Sequence, residues 1–314
     1  MNKIQDSYNN KAMGELNKAA QDFFTLFSSI IVEATPFILI GIIVSVIVAL
    51  FINDSLIQKF LPKNRLGRLA TVGLIGIFMP VCECGNVPVA RRMINRKFSI
   101  AETTVFLVAA PIVNPITLIS TLEAFNFNPS IGWFRVVAGY TISIIMGYYF
   151  INLSRKKSYQ PNEYISKKFL ASCNIHHHYK SKVDEALTIF SSEFVLMFKM
   201  LILGAIIAAL FQVIIPREWV VFLNNNPLLA IVSMMLLAFV ISICSNIDAF
   251  FALSFYPAFP LSSLIAFMLY GPIVDIKMIA LLKTTFTTKY IIQYVTIATA
   301  LVLLISLGYQ VASN

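Results

Sequence analysis

A chain that returns to apolar stretches eight times, at 34–52, 66–82, 100–122, 131–151, 186–215, 228–243, 261–282 and 290–307, has few ways to fold in water. Most of these runs approach the roughly 20 residues that a helix needs to cross a bilayer, and the two that precede polar breaks are shorter. In lipid every backbone polar group must find a partner within the protein, which a helix supplies along its own length. Only 12% of the residues are charged, against about a quarter in soluble domains. The sequence therefore predicts an all-α polytopic membrane protein with about eight transmembrane segments.

The chain starts with polar residues such as Asp6, Asn9, Asn10, Glu15 and Lys18, and the apolar character begins near Phe23, so no cleaved signal peptide is expected. Its net charge of +9 resides in clusters between the runs, the pattern of a topology signal, which excludes nucleic acid as a partner and implies a lipid bilayer. The densest cluster is the polar linker 152–185, with Arg155, Lys156, Lys157, Lys167, Lys168, Lys180 and Lys182, and it reads as a cytoplasmic loop. Four segments follow: a polar N-terminal segment 1–22, a first membrane unit 23–151, the basic linker 152–185 and a second membrane unit 186–310.

Within the first unit the run 66–82 ends at Pro80-Val81-Cys82-Glu83-Cys84-Gly85-Asn86-Val87-Pro88. Two prolines cost helical hydrogen bonds and a glycine permits close approach, so the backbone is expected to open here. Open backbone survives at membrane depth only inside protein or beside a wet cavity, and an intramembrane carboxylate is by default a site. Soft thiolates at Cys82 and Cys84 suit Cu(I), Zn(II) or trivalent arsenic. The plainer reading is a helix break in which small Cys and Gly residues allow tight packing.

The two membrane units repeat one another. Glu33 matches Glu193, Cys84-Gly85-Asn86 matches Cys244-Ser245-Asn246, and Pro111-Ile112-Val113-Asn114 matches Pro272-Ile273-Val274-Asp275, in the same order and at nearly constant offset. The second break, Cys244-Ser245-Asn246-Ile247-Asp248, carries its acid later. Helix breaks duplicated in this way meet centrally in transporters, where freed backbone and half-helix ends bind substrate. The candidate substrate-binding set is Cys82, Glu83, Cys84, Asn86, Asn114, Cys244, Ser245, Asn246, Asp248 and Asp275, of which Cys82, Glu83, Cys84, Cys244 and Asp248 could ligate a metal. If the chain turns back at each break, the units are inverted and the basic clusters share one face; if it crosses, they are parallel. The distribution of charge leans to the inverted, re-entrant arrangement.

Asp275 is expected to face the bundle interior or to pair with Lys277 or Lys283, since charge in lipid is costly. Glu33 and Glu193 read as interfacial acids, and Lys199 as a snorkelling side chain. Cys173 and His176, His177 and His178 form a Cys/His tract in the linker, for which a solvated loop is a simpler account than a metal site. No phosphate-binding G-x-x-x-x-G-K-[ST] loop is present, so no nucleotide cofactor is expected. A bound thiophilic metal ion is the one cofactor the sequence leaves open.

Met79-Pro80-Val81-Cys82-Glu83-Cys84-Gly85-Asn86-Val87-Pro88, Ala110-Pro111-Ile112-Val113-Asn114-Pro115, Cys244-Ser245-Asn246-Ile247-Asp248-Ala249-Phe250 and Tyr270-Gly271-Pro272-Ile273-Val274-Asp275 resemble the motifs of the bacterial predicted-permease family that includes ArsP, YraQ and YcgR (UPF0718). The resemblance covers nearly all of 23–286. It implies a plasma-membrane permease, with efflux of trivalent organoarsenicals as the activity of some members. Glu83 and Asn86 depart from the family's Cys-Ser-Cys-Gly pattern, and an added carboxylate moves the expected cargo toward a metal cation.

The expectation is a permease that moves a small thiophilic substrate by alternating access. The alternative is a membrane subunit that docks a partner protein, or a second copy of itself, without transporting alone. An intramembrane redox enzyme fits poorly, because Cys82 and Cys84 are separated by one residue, not two.

Overall fold

The computed structural model describes residues 2–51, 62, 64–78, 83–96, 98–153, 182–214, 226–256 and 258–313; residues 79–82, and with them Cys82, and the linker tract at Cys173 and His176–His178 lie outside these. Among the described residues the regular elements are helical. They are α1 (Asn2–Phe51), α2 (Arg65–Ile75, extended by a 3-10 turn Gly76–Phe78), α3 (Glu83–Asn95), α4 (Ile100–Ile112), α5 (Pro115–Ala124), α6 (Pro129–Leu153), α7 (Lys182–Ile214), α8 (Pro227–Ile241), α9 (Asp248–Leu253), α10 (Leu261–Tyr270), α11 (Ile276–Leu282) and α12 (Thr288–Ser313).

Among the described residues five stretches are long and apolar enough to cross a membrane: Lys18–Ile47, Ile100–Ala124, Pro129–Ile151, Ala186–Val213 and Thr288–Ser313. These take up five of the eight apolar runs, and the other three hold shorter helices among the described residues. The run 66–82 yields α2, whose 11 residues rise only about 17 Å, and the run 228–243 yields α8, whose 15 residues rise about 23 Å, both short of a hydrocarbon core of about 30 Å.

Small residues fix how the long helices lie. Along α6, Gly147 faces Val105 and Ala101, Gly139 faces Ile112, and Gly132 faces Leu118 and Leu122. α6 therefore runs antiparallel to α4 and α5 together, which form one broken rod. The break is built by Asn114, whose side chain accepts from the Ile116 amide at 2.9 Å while Pro115 opens α5. On α2, Arg68 pairs with Glu102, Gly73 lies beside Val105 and Gly76 beside Ala110, so α2 runs in the same sense as α4. α3 then runs back, because the short connection 96–99 joins its end to the start of α4, where Ser99 and Glu102 close a capping box. Both arms of the 65–95 hairpin thus begin and end level with Ile100.

The same measure applied elsewhere gives two ends to the bundle. Phe150 stacks near Tyr290 (4.8 Å) and Phe134 near Tyr309 (4.7 Å), so α12 is antiparallel to α6. Ser262 on α10 donates to Gln310, and Tyr270 meets Thr299 at 2.9 Å, so α10 descends along α12. Ile30 of α1 packs with Ala205 and Ala208 of α7, and a cleft lined by Lys18, Asp22 and Leu26 also touches Gln212, while Ser45 neighbours Glu193. α1 and α7 are therefore antiparallel. One end of the bundle, the basic end, carries Arg68, Ser99, Tyr290 and the start of α7; the far end carries Leu122, Phe134, Ser262 and Gln310. Apolar side chains such as Phe24, Ile40, Leu203 and Leu304 are exposed on the outside, the surface a bilayer would cover.

Candidate functional site

The polar break of the first unit lies differently from its sequence expectation. α3 begins at Glu83 and continues through Pro88, so Glu83, Cys84 and Asn86 occupy the first helical turns, not open backbone. Pro88 is the sixth residue of α3, past the first turn, and withholds the hydrogen bond that the Cys84 carbonyl oxygen would otherwise accept. Tight packing holds the turn in place: a Cβ on Gly41 of α1 would overlap the Gly85 backbone, with the Gly85 Cα at 2.7 Å. Glu83 is 1% exposed and neither of its carboxylate oxygens accepts from another residue; Asn86, one turn on, is fully buried with neither side-chain amide atom paired.

Lys277 points at this turn from α11. Its Nζ lies 4.0 Å from Glu83 Oε1 and 3.8 Å from Asp275 Oδ2, and it is 2% exposed. Cys84 and Glu33 are the further ionisable groups within electrostatic reach of it. Asp275 itself is held on three sides. It caps α11 by accepting from the Met278 amide at 2.5 Å, and it accepts from Ser242 Oγ at 2.5 Å, where Ser242 ends α8 in the left-handed region at φ 58°. Two residues on, the Cys244 amide donates to Glu33 Oε1 at 3.3 Å. Cys84 and Cys244 are both buried. The two breaks thus converge in the middle of the bundle on a cluster of Glu83, Lys277, Asp275, Ser242, Cys244 and Glu33.

Asp248, Asn246 and Asn114 lie nearer the far end. The Arg135 guanidinium, 1% exposed, donates to Asp248 Oδ2 at 2.5 Å and to Thr121 Oγ1 at 2.8 Å, and reaches the Ser245 carbonyl at 3.5 Å. Thr117 Oγ1 donates to Asn246 Oδ1 at 3.4 Å and to the Pro111 carbonyl at 3.0 Å. Asp248 is thus balanced by an arginine and stands apart from the Glu83 cluster. Among the described residues no three of His, Cys, Asp and Glu gather as a metal-holding group.

A third polar layer lies toward the basic end. Arg92 Nη2 donates to Glu193 at 2.9 Å, and Arg91 donates to Thr285 Oγ1 at 3.2 Å and to the Thr284 carbonyl at 2.9 Å. Glu193 is fully buried, not interfacial. Arg91 and Arg92 belong to a basic cluster beside the first break, and Arg135 lies outside every motif of the sequence. A lone arginine inside the apolar run 131–151 was the available signal.

The family model described as "Predicted permease" matches residues 19–311. A protein of Streptococcus mutans named "Putative two-component membrane permease complex subunit" is 36% identical over 274 residues, 86% of this chain and 89% of that protein. The Bacillus subtilis protein named "UPF0718 protein YcgR" is 35% identical over 283 residues, 89% of this chain and 94% of that one. No solved structure matches the chain. On the extent of these matches this multi-pass membrane protein belongs to the ArsP_1 family of predicted permeases.

Proposed function

We propose that the chain is a permease, not an enzyme, and that it moves a small thiophilic substrate, a metal ion or a trivalent organoarsenical, through the cluster where its two helix breaks converge. The observation that carries this reading is the burial of Glu83, Lys277 and Asp275 together at mid-depth, with buried Cys84 next in sequence to Glu83 and buried Cys244 two residues past the Ser242 that bonds Asp275. Such charges are costly in a membrane interior and are retained where something polar must pass. Two thiols give soft ligands, and Glu83 with the Asn86 amide gives oxygen ligands, so a cationic thiophile has both.

In this reading 23–151 and 186–310 are inverted repeats. Three features support it. α1 and α7, which carry the matching acids Glu33 and Glu193, run antiparallel. The hairpin 65–95 enters and leaves at one end of the bundle. α4 with α5, and α10 with α11, form matching broken rods, the second being the sixth crossing. Arg68, Arg96, Lys283 and Lys289 then share the basic end, where α6 ends and α7 begins, and this end faces the cytoplasm of a bacterial cell.

The second reading, a subunit that acts only with a partner, is favoured by the name of the Streptococcus mutans relative, which describes one part of a two-component complex. Flux into vesicles containing the purified chain alone separates the two. Transport of phenylarsine oxide or Zn(II) that is lost in Cys82→Ser/Cys84→Ser supports the permease with a thiol site. Transport unchanged in that variant removes the thiol role, and its absence from the folded wild type alone favours the partner.

A further inference from the structure

Among the described residues, three layers of buried polar contacts join residues 2–153 to residues 182–313. At the basic end Arg92 of α3 meets Glu193 of α7, and Arg91 meets Thr284 and Thr285 after α11. In the middle Glu83 of α3 faces Lys277 of α11. At the far end Arg135 of α6 meets Asp248 of α9. We propose that the outer two layers are latches, the Arg135–Asp248 pair closing the path to the far face and the Arg91/Arg92 contacts with Glu193, Thr284 and Thr285 closing it to the basic face, so that opening one at a time exposes the Glu83–Lys277 layer to alternate sides.

The chemistry of the pairs suits a latch better than a rivet. A buried ion pair contributes little net stability compared with an apolar pair of the same size, because desolvation offsets most of its attraction. Its value lies in being specific and in having two states. Arg135 keeps a partner when Asp248 departs, since Thr121 Oγ1 lies 14 residues away on its own side of the interface, at 2.8 Å. Asp248 opens α9, a helix of only six residues, and Arg91 and Arg92 lie on α3, the return arm of a hairpin. Short elements of this kind can shift without dismantling the long helices. With both latches closed, Glu83 and Asn86 are shut off from both faces, which matches their near-complete burial.

The proposal rests on the permease reading, but its test needs no cargo. In a background where Cys82, Cys173 and Cys244 are serine, Cys84 reports access to the middle layer. A charged, membrane-impermeant methanethiosulfonate is applied to one face of vesicles of either orientation, and the rate of Cys84 modification is followed. Asp248→Asn is expected to raise that rate about tenfold from the far face only, and Glu193→Gln from the basic face only, as expected when one state of a two-state gate is released. Arg135→Lys, which keeps the charge but loses the forked geometry, should give a smaller rise from the far face. Equal rises from both faces, or no rise in variants that elute as monodisperse protein with unchanged melting, would overturn the latches. A chain that shows the face-specific pattern but no flux keeps its latches and loses the permease reading; a transporting chain without the pattern loses the latches alone.

Discussion

Replacing Lys277 with methionine keeps an unbranched side chain of similar length and removes the only cation between Glu83 and Asp275 among the described residues. Removing one partner of a buried ion pair costs about 3–5 kcal/mol, because the other charge is left uncompensated. The geometry says where that cost falls. Asp275 still accepts from Ser242 Oγ and from the Met278 amide, each at 2.5 Å. Glu83 accepts from no other residue. Most of the penalty should therefore belong to Glu83, and Lys277→Met/Glu83→Gln should regain roughly 2–3 kcal/mol of it, the scale of an uncompensated buried group. Lys277→Met/Asp275→Asn should regain less than about 1 kcal/mol, because the amide nitrogen cannot accept from Ser242. Reversible unfolding in detergent micelles, read by circular dichroism, measures all three. The reasoning fails if Lys277→Met alone costs under about 1 kcal/mol, or if Asp275→Asn rescues it better than Glu83→Gln.

Gly41→Val should destabilise by about 1–3 kcal/mol, since any Cβ there meets the Gly85 backbone and must separate α1 from α3; the same unfolding experiment checks it. Ser99→Ala removes the capping box of α4 and should cost about 1 kcal/mol, with substrate flux per folded molecule unchanged, because the cap lies at the basic end away from the breaks. Tyr290→Phe loses the 2.7 Å bond to Thr104 and should cost about 0.5–1.5 kcal/mol in thermal unfolding.

Much of the central site was legible from residue types alone. Glu83 and Asp275 stand out because charge in apolar runs has no cheap structural explanation, and both lie beside Lys277. What the linear pattern could not supply was the pairing. Asp248 looks equivalent to Glu83 in sequence, yet Arg135, 113 residues away, claims it. Lys277 was legible as a partner for Asp275 but not for Glu83, which comes from the other end of the chain. Apolar run length says less, because among the described residues the runs at 66–82 and 228–243 hold helices of only 11 and 15 residues, and hydropathy records burial without direction. Pro88 reads as a breaker, yet α3 runs through it at the loss of one backbone bond, to the Cys84 carbonyl oxygen.

X-ray absorption at the arsenic edge of the purified chain bound to a trivalent organoarsenical tests the central claim most directly. If the breaks form the site, the spectrum shows sulfur neighbours that vanish in Cys82→Ser/Cys84→Ser/Cys244→Ser. Sulfur coordination that survives in that variant would place the arsenic on Cys173 in the linker and contradict a site between the two breaks.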